Sequence, residues 1–106
     1  MTPYIEVVTT TADAETADGI ANELVRQRLA ACGQTSGPIT SHYWWQGNLE
    51  TSSEWRCSLK TRDNLFERVE KAIRQLHPYD EPQIIATPVT AGSDGYLRWL
   101  EAELTD

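Results

Sequence analysis

Two histidines and two cysteines, His42, His77, Cys32 and Cys57, are the candidate soft or borderline metal ligands of this chain. Their spacing fits no closed zinc pattern, neither C-x-x-C nor H-E-x-x-H. A thiol must ionise to hold a metal, so affinity at such a site rises with pH. The commoner use of each cysteine is as a small buried hydrophobe. The densest chemistry lies in His77-Pro78-Tyr79-Asp80-Glu81-Pro82, where an imidazole, a phenol and two carboxylates stand between stiff prolines. Two readings stay open for this stretch. It is either a ligand-binding group or a helix stop with a histidine favoured by the carbonyl end of the helix dipole. Tyr43, Trp44, Trp45 and Trp55 could stack on a ligand, but an inter-subunit seam is the commoner use of such rings. Glu15, Asp63, Glu67, Glu70, Asp80 and Glu81 are scattered and read mostly as solvated helix faces. No G-x-S-x-G, phosphate-binding glycine loop or nucleophile–base set is visible, so an enzyme is not expected.

The elements that must position these groups follow from pattern. Tyr4 to Thr10 is β-branched and aromatic and reads as a strand. Asp13 caps a helix with Ala17, Ile20, Ala21, Leu24 and Val25 at helical spacing, running to about Ala30. Ile39 to Trp45 is extended, and Gly47-Asn48 reads as a hairpin turn leading to a return strand from Leu49 to Lys60. Ser52-Ser53 is a candidate bulge. Pairing across that turn places Cys57 near Pro38, well away from Cys32. Thr61 is a candidate cap for a second helix carrying Leu65, Phe66, Val69, Ile73 and Leu76, ended by His77-Pro78. Gln83 to Thr90 reads as a strand with Pro88 at an edge or end. Ser93 or Asp94 opens a last helix with Tyr96, Leu97, Trp99, Leu100 and Leu104.

The order β-α-β-β-α-β-α predicts an α+β, ferredoxin-like βαββαβ sandwich with an extra C-terminal helix. Both long helices then lie on one face of an antiparallel sheet. The hairpin strands are longer than so small a domain needs, so their aromatic ends require cover from another subunit. The 106 residues fit one domain, 1–106. A formal charge of -7 disfavours nucleic acid and anionic membranes as partners. No apolar run is long enough to span a bilayer, and no signal peptide is evident. Two cysteines make no disulfide framework, so a reducing cytoplasm is expected.

Five segments, taken in order, resemble the CutA family of divalent-cation tolerance proteins. They are Leu29-Ala30-Ala31-Cys32, Thr40-Ser41-His42-Tyr43-Trp44-Trp45-Gln46-Gly47 and Leu59-Lys60-Thr61-Arg62, then His77 through Ile85, and Tyr96-Leu97-Arg98-Trp99-Leu100. The resemblance implies a tightly packed homotrimer, similar in architecture to PII signalling proteins, linked to tolerance of copper and other divalent metal ions. It requires no cofactor, and makes Cys32 and His77 the candidate metal ligands. Lys60, Tyr79 and Trp99 match cleft positions near that imidazole. An alternative is a PII-like signalling module that binds a small ligand in inter-subunit clefts. The chain departs from the family after Cys32, where Gly33, Gln34, Thr35 and Ser36 replace an apolar strand and Gly37-Pro38 reverses the usual order. His42 replaces an aliphatic residue, and Cys57 and Ser58 dilute the return strand. These changes weaken strand propensity and burial, and so trimer stability.

Overall fold

The computed structural model describes residues 2–106; Met1, part of the expected domain, lies outside the described residues. The elements are β1 (Tyr4–Thr11), α1 (Ala14–Arg26), β2 (Cys32–Trp45), β3 (Asn48–Arg62), α2 (Phe66–Leu76), β4 (Ile85–Pro88) and α3 (Asp94–Glu103). One antiparallel sheet has the order β2-β3-β1-β4, the split βαβ arrangement that the element order predicts. Pro88, without a backbone N–H, closes the edge strand β4.

Alternation along the strands sorts the two faces. Val7, Cys57, Leu59 and Thr61 are buried under Ala17, Ile20, Leu24, Val69 and Ile73 of the two long helices. Each fully buried Leu or Ile contributes about 1.5–3 kcal/mol by leaving water. The Asp13 carboxylate caps α1, accepting the Thr16 N–H at 2.7 Å. On the other face α3 covers one end of the sheet. There Tyr4 donates its hydroxyl to Glu101 at 3.0 Å, and Arg62 pairs with the same carboxylate.

Five local expectations are corrected. The hairpin turn is Gln46-Gly47, with φ of 49° and 81°, while Asn48 already belongs to β3. A tight turn that follows the strand twist needs positive φ at both central residues. The irregularity lies in β2 between Ser36 and Ile39 rather than at Ser52-Ser53, which pair regularly with Ser41 and Thr40. Together these shifts place Cys57 opposite Thr35 instead of Pro38. Thr61 is no cap: it is buried in β3 and donates its hydroxyl to the Leu29 carbonyl at 2.7 Å. A single 3-10 turn, Asp63–Leu65, precedes α2, which has no side-chain cap. Finally, α1 stops at Arg26, because Arg28 turns left-handed with φ 59°.

Candidate functional site

The sequence-predicted residues fall into two groups at opposite ends of the sheet. Cys32 pairs with Lys60 across β2 and β3, and Lys60 pairs with Glu6 on β1. Lys60 donates to Gln34 Oε1 at 2.8 Å and stands 3.9 Å from Glu6 Oε2. Tyr96 of α3 lies beside Cys32. Burial first, then the neighbouring thiol, raises the Tyr96 phenol above its ordinary range. Trp99 packs against Tyr96 with ring centroids 5.5 Å apart. Cys32, Lys60 and Trp99 thus share one end.

His77 and Tyr79 occupy the other. Helix α2 ends at His77, whose ring is buried and stacks on Tyr79 at 4.6 Å. The Tyr79 N–H donates to His77 Nδ1 at 3.2 Å, so Nδ1 is the unprotonated nitrogen. Nε2 then carries the proton and donates to the Thr10 carbonyl at 2.7 Å. Both ring nitrogens are occupied within the chain. Thr10 is four residues along β1 from Glu6, so it lies about 13 Å along the strand direction from the Cys32 end, and two strand spacings away. One protomer therefore does not bring Cys32 and His77 together. Among the described residues no three His, Cys, Asp or Glu side chains converge to hold a metal ion.

What does converge beside His77 is a cleft of about 530 Å³. The hairpin supplies His42, Tyr43, Trp45 and Glu54; the segment after α2 supplies Tyr79, Asp80 and Glu81. His42 Nδ1 is 3.2 Å from the Thr51 hydroxyl. Tyr79 donates its hydroxyl to Glu54 Oε2 at 3.3 Å. Burial raises the Tyr79 phenol, and the Glu54 charge adds to that. Sequence reasoning misses Glu54, because nothing local marks it. Only the pairing of β3 with β2 and the approach of Tyr79 reveal it. Cys57 is fully buried and its thiol is pushed up to about 12, by desolvation first and the Asp18 charge second. Of the expected seam residues, Tyr43, Trp44 and Trp45 are exposed. Trp55 packs in its own chain, its ring so close to Gly37 that a Cβ there would meet it at 2.8 Å.

The sheet order and the paired helices define an α+β, ferredoxin-like domain with an added C-terminal helix. The family described as CutA1 divalent ion tolerance protein matches residues 5–103. The divalent-cation tolerance protein CutA of Pyrococcus horikoshii is 39% identical over 99 residues, which is 93% of this chain and 96% of that protein. The chloroplastic CutA protein of Arabidopsis thaliana is also 39% identical over 93% of this chain, but this chain spans only 54% of the plant protein. Among solved structures, CutA from Xylella fastidiosa superposes with a TM-score of 0.94 at 33% identity, covering 98% of this chain and 100% of that one. The divalent cation tolerance protein of Thermus thermophilus gives 0.93 at 35% identity, covering 96% and 99%. This chain belongs to the CutA family of divalent-cation tolerance proteins.

Proposed function

We propose that the chain acts in divalent-cation tolerance as a homotrimer that binds copper, or another divalent ion, weakly between subunits. In this reading Cys32 of one protomer, with Lys60 and Trp99 beside it, faces His77 and Tyr79 of the next. A ring of identical subunits needs two different patches on each, one meeting the other head to tail. The observation that supports it is the placement of Cys32 and His77 at opposite ends of one sheet, each near exposed rings. Weak affinity follows from His77, because a metal at Nδ1 must displace the Tyr79 N–H.

Calorimetry with copper on the reduced wild type, Cys32→Ala and His77→Gln tests the reading. Glutamine keeps a donor for the Thr10 carbonyl, so the cleft stays folded. Both variants should lose binding, and trimers reassembled from a mixture of the two should regain part of it, since intact pairs form across mixed interfaces. Equal binding in all three proteins would refute the site.

The cleft itself favours a second reading, a PII-like module taking a small ligand, because 530 Å³ far exceeds a bare ion. For location, free Cys32 and Cys57 fit a reducing cytoplasm. Among the described residues no helix is long and apolar enough to cross a membrane. Relatives are named for other compartments, chloroplastic in Arabidopsis and periplasmic in Archaeoglobus fulgidus.

A further inference from the structure

Residues 78–82 form an irregular strap between α2 and β4, and among the described residues no backbone–backbone hydrogen bond holds it. Pro82 is buried and anchors the far end, while Pro78, Tyr79, Asp80 and Glu81 are exposed. Four ties fix the strap, and three of them run through Tyr79. Its N–H donates to His77 Nδ1 at 3.2 Å, its ring stacks on the imidazole at 4.6 Å, and its hydroxyl donates to Glu54 Oε2 at 3.3 Å. The fourth is the ion pair of Arg74 with Glu81 at 3.2 Å, and with Glu81 73% exposed it holds little.

The two nitrogens of His77 are unequal. The bond from Nε2 to the Thr10 carbonyl is short, at 2.7 Å, and buried; the bond at Nδ1 is longer and only part-buried. A histidine that ligates a metal through one nitrogen typically donates its other N–H to a carbonyl or carboxylate, which fixes the ring. Nε2 already stands in that arrangement, so Nδ1 is the nitrogen left to face an ion. Imidazole together with a thiol suits copper, so the donors fit. The Tyr79 N–H, however, occupies the Nδ1 lone pair. One lone pair cannot serve both, so the strap must let go before an ion can enter.

We infer that residues 78–81 are a displaceable strap: an ion at His77 Nδ1 and the Tyr79 N–H bond exclude each other, so metal binding frees Tyr79, Asp80 and Glu81. The inference rests on the reading of His77 as a metal ligand and adds a consequence to it. Because the N–H, the ring and the hydroxyl belong to one residue, release of the first loosens the other two. Occupancy of the site then becomes a change of shape at the cleft mouth, where Asp80 and Glu81 carry negative charge. Tyr79 is a positioning residue in this scheme. It sets how much must be broken before an ion enters.

Hydrogen exchange of the reduced native assembly, with and without copper at concentrations where calorimetry shows binding, tests the inference. The amides of Tyr79, Asp80 and Glu81 should exchange at least tenfold faster with copper bound, while those of α2 and β1 keep their rates. A preformed site does the opposite, since binding that orders a segment slows its exchange. Tyr79→Phe keeps the ring and the N–H but drops the tie to Glu54. Copper affinity should therefore rise about threefold or more, the effect of removing one modest hydrogen bond that opposes binding. Where Tyr79→Phe does not fold, the exchange comparison on the wild type decides alone. Copper binding with an unmoved or slower strap, or affinity unchanged or weaker in a folded Tyr79→Phe, overturns this inference and leaves His77 standing as a ligand. No copper binding to the wild type sinks both.

Discussion

The two cysteines show how environment decides what a side chain can do. Cys32 begins β2, partly exposed beside Tyr96. Cys57 is sealed beneath the helices, and desolvation disfavours its thiolate so strongly that the thiol is pushed up to about 12. The thiolate is the reactive form, so native Cys57 has neither access nor charge. Iodoacetamide labelling followed by peptide mass spectrometry should modify Cys32 first and reach Cys57 only once urea unfolds the chain. Labelling of Cys57 in the folded protein at the rate of Cys32 would show that the helices do not seal this part of the sheet. His77 teaches the complementary lesson. Its residue type suggests a ligand, but its two hydrogen bonds tie α2 to β1 and set the chain entering the cleft.

At the scale of elements, the seating of α1 on the sheet depends on a missing side chain. A Cβ on Gly33 would stand 2.9 Å from the Ala21 Cβ and 3.3 Å from Leu59 Cδ2. Gly33→Ala therefore pushes the helix off the strand and should cost about 1–3 kcal/mol. Gly19, on the exposed side of α1, has open space instead, with nothing within 4 Å of where a Cβ would stand. Gly19→Ala should stabilise the protein by about 0.5–1 kcal/mol, since glycine weakens a helix interior. Urea unfolding of both variants checks the pair; equal effects would mean that α1 does not sit where the sheet places it.

The same elements show which signals are local. The Asp13 cap, the Pro78 stop and the stripe of Val69 and Ile73 are each carried by a few neighbouring residues, and all are legible in the sequence. Thr61 resembles a cap because its partner, Leu29, is 32 positions away. The β2–β3 register depends on a turn and an irregularity, and misplacing both moves the partner of Cys57 from Thr35 to Pro38. Glu54 is illegible for the same reason: its burial and its Tyr79 bond exist only after the hairpin meets the segment beyond α2.

The whole molecule is longer than a compact subunit should be. Its radius of gyration is 14.3 Å and its extents are 45 × 25 × 22 Å. A compact chain of this length would have a radius near ~13 Å. The excess comes from the hairpin. Pairing of β1 with β3 ends at Trp55, so Ile39 to Trp45 and Asn48 to Glu54 continue as two strands alone. A two-stranded ribbon is marginal in water. This one also carries Trp44 at 72% and Leu49 at 65% exposure, facing each other across the strands. Association of copies of this chain would bury that pair and support the ribbon at once. Sedimentation velocity at micromolar concentration should give a particle three times the 12.0 kDa of one chain. Trp44→Glu should weaken association at least tenfold, the expected loss for a central aromatic anchor. Hydrogen exchange should then accelerate in residues 39–54 and stay slow in β1, because only the ribbon loses its support. A particle of one chain's mass with a protected ribbon would mean that the hairpin stands without neighbours, and the proposed inter-subunit pairing of Cys32 with His77 would fall with it.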